Sequence, residues 1–90
     1  MNLELSWLDG GRAEVLQTDG QLAVLRSSRA AAPGQPLTAQ VSLSSTTQLR
    51  LKVQGCRREA DGWFRIHGRW LDLTRAVREE LVGRFGNPGS

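Results

Sequence analysis

Apolar and polar residues alternate along most of this chain in short runs punctuated by glycine, and only near the C-terminal end does the period lengthen. Leu3, Leu5 and Trp7 alternate with Glu4 and Ser6, the two-residue period of a half-buried strand, and Asp9-Gly10-Gly11 turns the chain directly afterwards. A second strand, about Arg12 to Gln17, puts Ala13 and Val15 on one face, and Thr18-Asp19-Gly20 is the next turn. Leu22-Ala23-Val24-Leu25 is nearly continuous apolar, as expected of a strand buried on both faces or closing a barrel. From Arg26 to Pro36 the chain reads as a long loop with two prolines and a glycine. Leu37, Ala39, Val41 and Leu43 then alternate cleanly with polar residues, Ser44-Ser45-Thr46-Thr47 turns, and Leu49, Leu51 and Val53 form the return strand.

Gly55 reads as the end of that strand, with Cys56 to Gly62 as a charged connection and Asp61-Gly62 as a hairpin turn. Trp63 to Trp70 reads as a sixth strand, although aromatics on both of its faces leave the phase open. From Leu73 the period becomes 3.6: Leu73, Val77, Leu81 and Phe85 fall on one stripe with Ala76, and Arg75, Arg78, Glu79 and Arg84 lie opposite. Asp72 or Thr74 is placed to cap this helix, Glu80 to pair with Arg84, and Gly86 with Pro88 to end it. The pattern predicts an all-β, six-stranded antiparallel barrel or split barrel with one C-terminal helix, about residues 73–85, over an open end. Residues 1–86 form one domain in this reading, and residues 87–90 form a flexible tail.

Composition narrows the functional classes. Hydrophobic content of 39% and charge of 23% are those of an ordinary globular chain, and no apolar run approaches the ~20 residues that cross a bilayer. The first residues, Met1-Asn2-Leu3-Glu4-Leu5, carry no signal-peptide pattern, which predicts a cytoplasmic location. Cys56 and His67 are the only cysteine and histidine, so neither a disulfide nor a zinc site, which draws on ~3–4 convergent ligands, is expected. The serines have no partner motif supplying a base and an orienting acid, and the carboxylates are scattered, so no enzyme is expected.

Charge is uneven. Residues 1–48 carry three basic residues against four acids, whereas residues 49–90 carry nine against five. Arg57, Arg58, Arg65 and Arg69 interleave with Trp63, Phe64 and Trp70 in that basic half. Arginine mixed with tryptophan is enriched at protein interfaces, which makes Arg57, Arg58, Trp63, Arg65, Arg69 and Trp70 the expected partner surface. The same mixture can stack bases, so single-stranded nucleic acid is a further reading. Arg26 and Arg29 flank Ser27-Ser28 at the mouth of the long loop and could fork onto a phosphodiester.

From Ala13 to about Leu81 the order of strands and helix resembles a PilZ domain. The resemblance is carried by Ala13-Glu14-Val15-Leu16 leading to Gly20, by Ala-Pro-Gly-Gln-Pro-Leu before Thr38-Ala39-Gln40-Val41, by Leu49-Arg50-Leu51-Lys52-Val53 and Cys56-Arg57-Arg58, and by the helix Leu73–Leu81. It implies a bacterial regulatory domain, and PilZ domains characteristically bind cyclic di-GMP through Arg-x-x-x-Arg followed by Asp/Asn-x-Ser-x-x-Gly. Gly20 matches the last position of the second motif, but Val15 and Gln17 stand at its acid and serine positions, and Arg12 is the only arginine before Arg26. Some family members lacking these motifs act as protein adaptors in signalling or motility, which is the expectation here, with self-association included. The alternative is cyclic di-GMP held at a non-canonical site by Arg26, Arg29 and Gly20.

Overall fold

The computed structural model describes residues 3–43 and 45–84. Six strands, β1 (Leu3–Trp7), β2 (Arg12–Thr18), β3 (Leu22–Ser27), β4 (Pro36–Ser42), β5 (Thr46–Arg58) and β6 (Phe64–Leu71), precede one helix, α1 (Arg75–Arg84). The strands close into an antiparallel barrel in the order β1-β2-β3-β6-β5-β4. The all-β barrel with a C-terminal helix expected from the alternation is therefore the architecture of the chain.

Alternation decides what lies inside. Leu3, Leu5 and Trp7 of β1, Ala13 and Val15 of β2, Ala39 and Val41 of β4, and Leu49, Leu51 and Val53 of β5 all enter the core. Closure at the β1–β4 seam is brief, with Ser6 opposite Gln40 and Trp7 opposite Ala39. Inside the barrel, Trp7 Nε1 donates to Ser27 Oγ at 2.9 Å, and that hydroxyl also accepts from Arg29 N and donates to Arg29 O. Ser27 is fully buried. A buried hydroxyl is tolerated because its hydrogen-bonding capacity is filled.

Several sequence expectations change. Of the two readings of Leu22 to Leu25, the strand that closes a barrel holds and burial on both faces does not: Leu22 is 48% exposed, and only Ala23 and Leu25 point inward. This strand runs on to Ser27 and β4 begins at Pro36, which leaves residues 28–35 as the loop. Gly55 does not end β5. A bulge between Val53 and Gly55 lets the strand continue to Arg58 with Cys56 opposite Ile66, so the expected connection is mostly strand. A second bulge, between Val15 and Gln17 of β2, turns Thr18 inward, where its Oγ1 accepts from Trp70 Nε1 at 3.0 Å.

The helix is capped by Thr74, whose Oγ1 accepts from Val77 N at 3.2 Å and whose carbonyl accepts from Arg78 N. Asp72 instead takes a positive φ of 55° and pairs with Arg50 at 2.9 Å. Leu81 is fully buried, and Leu73 and Val77 pack partly against the core. Ala76, expected on this stripe, is exposed, and Phe85 and the tail fall outside the described residues. Gly20, in the β2–β3 turn, has a φ of 92°, and a β-carbon there would lie 2.9 Å from Arg78 Cγ and 3.0 Å from Val82 Cγ2. Gly20→Ala is expected to cost about 1–3 kcal/mol through the combined backbone strain and displaced helix. Urea unfolding measures the loss, and hydrogen exchange of the α1 amides should rise more than that of β5.

Candidate functional site

The β5–β6 hairpin builds a partly exposed aromatic site from short-range turn chemistry. Glu59 N donates to Trp63 O at 2.7 Å and Gly62 N to Glu59 O at 3.1 Å, closing a three-residue connection in which Gly62 has a φ of 87°. Such a turn is open to glycine because the left-handed conformation carries little steric penalty there. Asp61 Oδ1 accepts from Trp63 N at 3.0 Å. The turn thus fixes the backbone of Trp63 just before β6 enters the barrel.

Register then brings distant residues to the indole. Arg26 stands opposite Arg65 across β3–β6, and Arg57 opposite Arg65 across β5–β6, so three arginines line one row of the outer wall. The guanidinium of Arg26 lies over the Trp63 ring at 4.7 Å from its centroid, and that of Arg12, from β2, lies at 6.0 Å. Both distances fall within the ~6 Å reach of a cation–π contact. Arg26 also forms an ion pair with Asp61, and Arg65 pairs with Glu59 at 3.2 Å. Acids from the hairpin turn therefore relieve the repulsion inside the arginine row. A depression of about 220 Å³ beside the indole is lined by Glu4, Arg12, Ala13, Glu14, Arg26 and Trp63.

The amide of Trp63, and after it the side chain of Arg26, hold the Asp61 carboxyl below the ordinary carboxylate range. With the folded pKa below the unfolded value, ionised Asp61 contributes stability above an unfolded pKa of about 3.9, and this contribution is lost as pH falls through the lower folded pKa. Acidification below about pH 4 is expected to move the Trp63 indole N–H resonance as the Arg26–Asp61 pair opens. In Asp61→Asn that acid-range movement should be absent.

The expected partner surface divides in this geometry. Arg57, Trp63 and Arg65 share the outer face of the hairpin. Arg58 stands opposite Phe64 and so projects from the other face. Arg69 lies four residues beyond Arg65, roughly 13 Å along β6. Trp70 is a correction: at 6% exposure it belongs to the core and not to a surface. The uncertain phase of β6 is settled by Ile66, Gly68 and Trp70 all facing inward.

Gly20, Arg26 and Arg29, the residues suggested for a nucleotide, do not converge. Gly20 precedes β3 and Arg29 follows it, with the six-residue strand between them, roughly 20 Å of extended chain. Arg29 is also committed elsewhere, because its Nη1 donates to the carbonyls of Asp9 and Gly10 at 3.0 Å each. Its stem fills the space beside Gly11, where a β-carbon would lie 2.7 Å from Arg29 Cδ. The arginine fastens the long loop to the β1–β2 turn.

Arg12 and Asp61 belong to the site and were not singled out by sequence reasoning. Asp61 carried only a turn signal, while Arg12 is 51 positions from Trp63 and meets it through the register of β2, β3 and β6. His67 is exposed on the outer wall, and among the described residues no three histidine, cysteine or acidic side chains are grouped to hold a metal ion. No described helix is long and apolar enough to cross a membrane. Compared with protein-family models, curated proteins and solved structures, the chain matches none.

Proposed function

We propose that this chain is a non-catalytic regulatory domain of PilZ type that acts by binding a protein partner in bacterial signalling or motility. The observation that carries the reading is the half-buried Trp63, outside the core and in cation–π contact with both Arg12 and Arg26. Tryptophan and arginine are the residues on which interface binding energy concentrates. Fixed by a hairpin turn and two guanidiniums, this indole loses little freedom on binding, which favours affinity. The partner's complementary surface is acidic, facing Arg57 and Arg65 beside an aromatic or aliphatic group that covers the indole. The barrel with its C-terminal helix agrees with the architecture that the PilZ resemblance implies.

The test has two arms. Titration with cyclic di-GMP is expected to give no heat beyond that of its GMP control, and micromolar binding specific to cyclic di-GMP would replace this reading with a nucleotide one. Chemical cross-linking in the source cells, followed by purified reconstitution, is expected to yield a protein whose binding Arg57→Glu weakens by about tenfold through like-charge repulsion. Arg58→Glu, on the other hairpin face, should leave it unchanged. Equal effects of the two reversals would overturn the assignment of this face.

A further inference from the structure

At the other end of β6, the outer wall carries a second group of cations arranged differently from the Trp63 row. Lys52 of β5 and Arg69 of β6 stand directly opposite each other, and Arg69's partner on its other side is Leu22 of β3. Like charges directly opposite in a sheet repel. In the Arg57–Arg65–Arg26 row, Glu59 and Asp61 relieve that repulsion. For Lys52 and Arg69 no ion pair exists among the described residues. Of the nearby acids, Asp72 lines the same crevice but is neutralised by its pair with Arg50, and the Asp19 carboxylate accepts from the amides of Gln21 and Leu22 at 2.9 and 2.8 Å.

These two cations border a crevice of about 450 Å³ between the barrel wall and the start of α1, and Arg78 of the helix is its third basic residue. The Arg78 stem is seated on Gly20, where its Cγ and Cδ occupy the space a β-carbon would take. That packing holds the guanidinium at the crevice without an acid partner among the described residues. Leu71 and Leu73 supply apolar lining. The volume falls in the range of small-molecule sites, roughly 300–1,000 Å³.

We propose that this crevice binds a small organic phosphate, with Lys52, Arg69 and Arg78 around its phosphate oxygens and its organic part against Leu71 and Leu73. The bound anion neutralises the Lys52–Arg69 repulsion that the fold leaves standing, and two guanidiniums with an ammonium suit phosphate oxygens by charge and hydrogen-bond geometry. The site is independent of the Trp63 patch and of any partner bound there.

The test titrates the full chain with inorganic pyrophosphate and follows both binding and melting temperature. Saturable binding is expected, with a rise in melting temperature and with amide shifts centred on Gly20, Lys52, Arg69 and Arg78. Lys52→Gln and Arg69→Gln should each weaken it by about tenfold, since each removes one charged donor, while Arg57→Gln should not. Without anion, Arg69→Gln should melt at or above the wild-type temperature, because it removes a repulsion. Absence of saturable binding, an equal loss in Arg57→Gln, or a lower melting temperature for anion-free Arg69→Gln would each overturn the proposal. A single-stranded oligonucleotide series separates the sources of phosphate: affinity rising with length would overturn a small ligand in favour of nucleic acid.

Discussion

Replacing Gly68 with alanine is expected to destabilise the barrel by about 1–3 kcal/mol, the usual range for overpacking a well-filled core. Gly68 faces inward on β6, and a β-carbon there would lie 2.7 Å from Leu51 Cγ, 2.8 Å from Cδ2 and 2.9 Å from Cδ1. Leu51 cannot swing away cheaply, because it is 1% exposed and stands opposite the buried Trp70. Leu51→Ala alone should cost about 2–5 kcal/mol by leaving a cavity. The two losses should not add: the alanine methyl at position 68 enters the space that Leu51 vacates, giving a favourable coupling of about 0.5–3 kcal/mol. A double-mutant cycle by urea unfolding measures this directly. Additive losses would show that the two side chains do not compete for one volume.

That pair also marks where sequence reading ran out. The alternation at Leu3, Leu5 and Trp7, and again at Leu37 to Leu43, was legible because a half-buried strand must place every second residue in the core. The same period at Phe64, Ile66, Gly68 and Trp70 was ambiguous, since a glycine contributes no apolar signal and Trp63 offers one in the wrong phase. Only the partner strand resolves it: Leu51 fills the space that the glycine leaves. Gly55 misled for a related reason. A glycine after a strand signals termination or a bulge equally, and the choice depends on whether Cys56 to Arg58 find a pairing strand.

The candidate site was legible in its residue types and not in its assembly. The Asp61-Gly62 turn and the neighbouring Trp63 were visible as a hairpin signal beside an aromatic. Arg12 and Arg26 reach the indole only because β2, β3 and β6 are adjacent in the barrel, an order that consecutive sequence does not state. Arg29 shows the converse. Its chemistry is that of an anion ligand, yet the nearest oxygens it meets are the carbonyls of Asp9 and Gly10, so it serves as a clasp. Residue chemistry bounds what a side chain can bind, and strand order decides what it does bind.

The same logic makes Trp63 the substitution with the largest expected effect on binding. For the protein identified by cross-linking, Trp63→Ala should weaken affinity by about 2 kcal/mol or more, roughly thirtyfold, as for the dominant residue of an interface. Folding stability should fall by only about 0.5–1 kcal/mol, the scale of an exposed cation–π contact, because the indole lies outside the barrel core. Trp63→Phe keeps an aromatic face and should recover part of the affinity. Arg26→Lys keeps the charge but gives up the guanidinium's contact over the ring, so its affinity should fall between wild type and Trp63→Ala. Surface plasmon resonance on the reconstituted pair, beside thermal melts of each variant, separates binding from folding. Wild-type affinity in Trp63→Ala would remove the indole from the interface. An equal loss of stability and binding would instead make Trp63 part of the scaffold.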